Sequence, residues 1–159
     1  MAARRMALIL TALPLAAIAV ITATSSATAD SAPTAAVTLA VVERAVTDTV
    51  VDVGPRGDSL GDSLAFGNPI YDAANQRQVG RDQGNCVRTR VGRAYECNWT
   101  TFVPGGSLTV EGPFYDDLRD APLAIIGGTG RFYRARGQMT LHARNASGST
   151  LDFVFRVQS

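Results

Sequence analysis

The chain has 159 residues, a formal net charge of +1, and 15 basic residues against 14 acids. Every basic residue is arginine, so a Schiff-base lysine is excluded, and the near-neutral balance offers no basic face for nucleic acid. Two cysteines and one histidine without zinc-type spacing make a poor ligand set, so no metal site is expected.

Arg4 and Arg5 precede an apolar run over 8–23, and Ala27-Thr28-Ala29 has the A-x-A form of a cleavage site. These features predict a signal peptide over 1–29, a flexible mature N-terminus over 30–36 and one β domain over 37–159. The apolar run is short for a membrane span, so a secreted, extracellular chain with no membrane contact after cleavage is expected. Cleavage removes Arg4 and Arg5 and leaves 13 arginines against 14 acids, a balance of −1.

Residues 37–53 are rich in β-branched side chains and predict a long strand interrupted by a bulge. Gly57-Asp58-Ser59-Leu60 and Gly61-Asp62-Ser63-Leu64 repeat the G-D-S-L form of a hydrolase nucleophile. Such enzymes also need a late Asp-x-x-His, whereas Met139 stands three residues before the single histidine, His142. The repeat therefore reads as a loop entering a strand over 64–72. A turn at 73–77 and a short strand over 78–84, with a kink or bulge at its glycines, follow.

Residues 86–102 form the clearest hairpin. A turn at Val91-Gly92 sets Arg90 opposite Arg93, Arg88 opposite Tyr95 and Cys86 opposite Cys97. In an exported chain two cysteines predict one disulfide, and this register suits a cross-strand bond. Strand 107–115 alternates cleanly, with Leu108 and Val110 on one face and Thr109 and Glu111 on the other. After a short apolar strand over 123–126, Gly127-Gly128-Thr129-Gly130 is expected to turn the chain into a strand over 131–143. That strand alternates Phe132, Arg134, Arg136, Gln138, Thr140 and His142 against Tyr133, Ala135, Gly137, Met139, Leu141 and Ala143. Leu151, Phe153, Phe155 and Val157 mark the inner face of a closing strand. About eight strands with short connections predict an all-β sandwich or closed antiparallel barrel.

Three segments carry a family resemblance. They are Phe66-Gly67-Asn68-Pro69-Ile70-Tyr71-Asp72 followed by Val79-Gly80-Arg81-Asp82-Gln83-Gly84, then 105–112, then 125–141 with its G-G-T-G and A-R-G elements. In that order the chain resembles the allene oxide cyclase–dirigent superfamily. The cysteines and Cys97-Asn98-Trp99-Thr100 stand outside the plant dirigent pattern and suggest a separate bacterial branch. The resemblance implies an eight-stranded antiparallel up-and-down β-barrel, assembled as a homodimer or homotrimer. It also implies a hydrophobic small molecule as partner, handled without a cofactor.

Within that resemblance, Asp72 takes the place of the dirigent acidic pair, with Tyr71 at the other position, and Arg136 that of the A-R-G arginine. A shaped apolar cavity selects one reactive conformer, and such polar groups polarise it or move a proton. Asp72, Arg136 and Glu111 are therefore the candidate catalytic residues, and Tyr71, Tyr115 and Tyr133 the candidate ligand-binding phenols. Glu43 stands where allene oxide cyclases carry an early glutamate, although its flanks do not match. Each has a structural alternative: a turn cap for Asp72, an ion pair for Arg136, a surface position for Glu111 and core filling for the tyrosines. Three functions remain open: a cofactor-free isomerase or cyclase guiding stereoselective cyclisation or coupling, a non-catalytic carrier or scavenger, and a structural barrel with a filled interior.

Overall fold

A 10-stranded antiparallel sheet dominates residues 36–158, the part that the computed structural model describes. The expected signal peptide and residues 30–35 lie outside the described residues. The strands are β1 (Val37–Arg44), β2 (Thr49–Val51), β3 (Ser63–Phe66), β4 (Pro69–Asp72), β5 (Gln78–Arg90), β6 (Ala94–Val103), β7 (Gly106–Tyr115), β8 (Ala121–Gly130), β9 (Arg136–Ala143) and β10 (Thr150–Gln158). From β4 through β1, β10, β9, β8, β7 and β6 each strand pairs with the next, and β5 joins β6 back to β4. The sheet thus closes on itself. β3 continues β4 along the edge of β5, and β2 pairs with β3, so β1/β2 and β3/β4 are two broken staves. The result is the expected up-and-down barrel of eight staves, with no helix among the described residues.

Closure explains the alternation. Each inward side chain meets the opposite wall, so Leu151, Phe153, Phe155 and Val157 on β10 face Met139 and Leu141 on β9 and Leu108 and Val110 on β7 in one core. Phe153 and Phe155 are 1% and 0% exposed, and burying each contributes roughly 2–3 kcal/mol. We call the end carrying the β5–β6, β7–β8 and β9–β10 turns the upper end, and that carrying the β6–β7 and β8–β9 turns the lower end.

Four local expectations change. Gly127-Gly128-Thr129-Gly130 belongs to β8, and the turn falls at 131–134. Gly128 and Gly130 are needed because strands meet there: a Cβ on Gly128 would stand 2.5 Å from the Phe132 carbonyl oxygen and 2.7 Å from that of Ser107, and one on Gly130 2.2 Å from that of Gly105. The left-handed turn position is taken by Arg134 (φ 64°). β5 is one continuous strand, with the expected bulge only where its pairing with β4 shifts register beside Gly80; against β6, Gly80 and Gly84 permit close approach, since Cβ atoms there would lie 1.9 Å from the Phe102 oxygen and 2.3 Å from Trp99 Cβ. The expected strand over 64–72 breaks at Gly67-Asn68. Finally, the β5–β6 turn is one residue longer than a two-residue hairpin, setting Arg90 opposite Ala94 through a bulge, while Arg88–Tyr95 and Cys86–Cys97 pair as expected.

The G-D-S-L repeat is a loop clip. Asp62 accepts hydrogen bonds from the Val53 and Ser59 amides (2.8 and 2.7 Å) and from Ser59 Oγ (3.0 Å). His142 pairs with Asp120 at the surface (2.6 Å).

Candidate functional site

Above the apolar core lies a cavity of ≈ 60 Å³. Its wall is Leu64, Phe66, Trp99, Phe114, Leu141, Leu151 and Phe153, together with Cys86 and Cys97, and its polar residues are Glu43 and the exposed Asp48. Strand parity places most of these groups. Cys86 and Cys97 are opposed on β5 and β6 and both point inward, their Cα atoms 3.9 Å apart, and they form the expected disulfide. Trp99, two residues along β6 from Cys97, shares that face and stacks between Phe66 (6.1 Å between ring centres) and Phe153 (5.4 Å). The volume accommodates a few waters or one small apolar group and is below the roughly 300 Å³ at which pockets for drug-sized ligands begin.

Glu43 follows Val41 on the inner face of β1 and is 4% exposed. Its Oε1 accepts a hydrogen bond from Asn68 Nδ2 at 2.7 Å. Asn68, 1% exposed at the break between β3 and β4, uses nearly all its polar groups. Its Nδ2 also donates to Asp48 (2.8 Å), and its Oδ1 accepts from the Val46 and Thr47 amides (each 2.9 Å) and from Thr47 Oγ1. Its backbone N–H donates to Asp82 Oδ1 at 2.9 Å, and its carbonyl accepts from the Asp82 amide. Asn68 thereby holds the β1–β2 connection, the β3–β4 break and β5 together, and it sets Asp82 beside Glu43.

The two acids titrate differently. Burial, then the nearby Asp82 charge, raises the Glu43 pKa well above the ordinary carboxylate range, against the lowering effect of the Asn68 hydrogen bond. Burial pushes Asp82 up to about 6, opposed by the Asn68 amide and by a hydrogen bond with Glu43. Of the two, Glu43 has the stronger push toward its protonated form, with burial and the Asp82 charge acting together. Asp82 Oδ2 is buried without a hydrogen-bond partner. Two adjacent carboxyls whose environments separate their pKa values form an acid–acceptor pair. Here the acid lines an apolar cavity.

The residues singled out from sequence lie elsewhere. Asp72 caps its turn, Oδ1 accepting the Gln76 amide at 2.9 Å, and that bond holds its pKa below the ordinary value. Arg136 is exposed and donates to the Ile126 and Ala135 carbonyls (each 2.8 Å). Its strand face carries Gln138 and His142 to the outside, while Met139 and Leu141 look inward. Glu111 is exposed opposite the buried Leu108 and Val110. Tyr71 and Tyr115 are half-buried beneath the guanidinium groups of Arg44 (3.7 Å) and Arg119 (3.5 Å). Tyr133 is 68% exposed in the β8–β9 turn. None of these side chains lines the cavity. A signal for the buried pair was present: Asp82 shares the parity of Cys86 on β5, and Glu43 that of Val41 on β1. Using it required knowing that the cysteines face inward.

Solved structures share this architecture. Pyocyanin demethylase is 23% identical, with a TM-score of 0.64 over 75% of this chain and 100% of that one. A pterocarpan synthase dirigent protein is 18% identical, with a TM-score of 0.66 over 78% of this chain and 95% of that one. An exo-specific intermolecular Diels-Alderase is 12% identical, with a TM-score of 0.60 over 79% of this chain and 99% of that one. At these identities the likeness shows the fold. The family model for dirigent-like proteins matches residues 17–158, the whole described barrel and part of the segment before it, and the chain therefore belongs to the dirigent-like family.

Proposed function

We propose that the barrel binds a small apolar molecule at its upper cavity and guides its cyclisation or coupling, with Glu43 as proton donor and acceptor. The reading rests on one observation: a buried glutamic acid in a largely apolar wall, its pKa raised by burial and by the neighbouring Asp82. The apolar surface selects a folded conformer of the ligand. Glu43 lends its proton to an oxygen on which negative charge develops as the new bond forms. The resulting carboxylate then stands in a buried site beside Asp82, where a second charge is unfavourable. It recovers a proton from the product, so the reaction is an isomerisation or addition with no net proton or electron transfer. The fold is shared with proteins named as a Diels-Alderase and as a pterocarpan synthase dirigent protein. The leader motif and the disulfide favour action outside the cytosol.

Trp99 is the chain's one tryptophan and stands in the cavity wall, so ligand entry reads directly on its emission. Titration with acetone, a small neutral ketone matched to the cavity volume, should alter that emission saturably. Leu141→Trp, which fills the cavity, should abolish competition by acetone for any compound that co-purifies with the chain. Glu43→Gln should leave binding within a few-fold and remove turnover of that compound. An emission that no apolar ketone alters, together with a chain that carries no extractable compound, sinks the reading. The small cavity volume specifically favours a second reading, a structural barrel with a filled interior, and the same titration separates the two.

A further inference from the structure

The lower end of the barrel is built from 36–40, 78–81, 101–109, 126–138 and 154–158. These segments contain Arg81, Arg131, Arg134, Arg136 and Arg156 and no Asp, Glu or His. All five arginines are exposed. None forms an ion pair with a described acid: Arg81 bonds Gln83, Arg136 the Ile126 and Ala135 carbonyls, and Arg156 the Thr140 hydroxyl. The upper end differs. There Arg88 is held by Asp58 and Asp116 (2.6 and 2.7 Å), and Arg119 and Arg144 by Asp117 and Asp152. The upper loops also carry Asp48, Asp52 and Asp120. A chain with a net charge of only +1 is therefore strongly polarised along the barrel axis.

Tyr133 stands 68% exposed at the tip of the lower turn, between Arg131 and Arg134. An amphipathic ring flanked by guanidinium groups suits a lipid–water interface, and guanidinium binds phosphate in bidentate fashion. The surface is the turn-closed end of a barrel rather than a groove, which suits a planar array of headgroups better than a threaded polymer. We propose that this end docks on an anionic phospholipid surface, with Arg131, Arg134 and Arg136 on headgroup phosphates and Tyr133 at the interface. The cavity mouth, at the opposite end, then faces solution. This inference does not depend on the cavity's chemistry.

The test is co-sedimentation of the full chain with vesicles of phosphatidylcholine alone or mixed with phosphatidylglycerol, always comparing variants pairwise so that any contribution of the N-terminal apolar run cancels. Each arginine near an anionic surface contributes about five-fold to partitioning, so R131Q/R134Q/R136Q should bind mixed vesicles about 100-fold more weakly. R56Q/R90Q/R93Q removes the same charge from the upper end and should bind as the parent does. If the first variant fails to fold, R81Q/R156Q probes the same end, with an expected loss of about 25-fold. Equal losses from both ends, or equal binding of parent and lower-end variants to mixed vesicles, overturn the proposal. So does retention on heparin without preference for phosphatidylglycerol, which assigns the end to a soluble polyanion.

Discussion

Replacing Asp82 with asparagine probes the buried carboxyl pair through stability, independently of any ligand. Asp82 is 1% exposed, and burial raises its pKa from the ordinary 3.8 to about 6 in the folded chain. A carboxyl raised on folding does not penalise the native state below its unfolded pKa. As pH rises toward the folded value, the unfolded chain ionises first and stability falls, then levels off. A shift of roughly two units at about 1.4 kcal/mol each amounts to about 3 kcal/mol, or on the order of 10 °C in Tm for a domain of this size. Asp62, Asp72 and Asp117 work the opposite way: backbone hydrogen bonds lower their pKa values, so their contribution is lost only on acidification below about pH 4. The two effects occupy separate windows. Asparagine at position 82 keeps an oxygen for the Asn68 amide and offers an N–H toward Glu43. Thermal melts followed by circular dichroism from about pH 4 to about pH 6.5 should therefore show Tm falling for the parent and falling less for Asp82→Asn, in which burial still keeps the Glu43 pKa raised. A parent Tm that is flat or rising over that window, or a variant that falls in parallel, refutes the assignment of a buried, proton-sharing pair.

The two adjacent glycines of β8 should respond differently to the same change. Gly127→Ala adds a methyl to open space, whereas Gly128→Ala drives one into the Phe132 and Ser107 carbonyls. Urea midpoints should show an effect within about 1 kcal/mol for the first and a loss of more than about 2 kcal/mol for the second. Reducing Cys86–Cys97, which closes a loop with a sequence separation of 11, should cost about 3 kcal/mol, measured as the change in urea midpoint with and without reductant. Arg134 holds φ 64° on an exposed turn, so Arg134→Gly should relieve left-handed strain and raise stability by about 0.5–1 kcal/mol. An unchanged or lower Tm for that variant contradicts the strain argument.

Much of this molecule follows from local pattern. The alternation of Leu151, Phe153, Phe155 and Val157, and of Leu108 and Val110 against Glu111, reports which faces are buried, because period-two burial is a property of any half-buried strand. The opposition of Cys86 and Cys97 follows from hairpin pairing over a few residues. The resemblance carried by 66–84, 105–112 and 125–141 leads to the barrel and the family. Other features needed the closed barrel. Gly128 and Gly130, which read as turn formers, and Gly80 and Gly84, which read as kinks or bulges, are close-approach sites, because atoms they avoid belong to other segments of the barrel. Arg136 lay on a face whose direction alternation alone leaves open, and closure turned that face outward. Glu43 and Asn68 are 25 residues apart and Asn68 and Asp82 a further 14, so their convergence depends on which staves neighbour one another. Burial, which only the assembled wall creates, then separates their pKa values. Sequence by itself determined most of the strands, the apolar faces of β7 and β10 and the disulfide register, all readable from local alternation and hairpin pairing. Tertiary structure alone decided where the acid sits, because a carboxyl's proton affinity depends on everything packed around it.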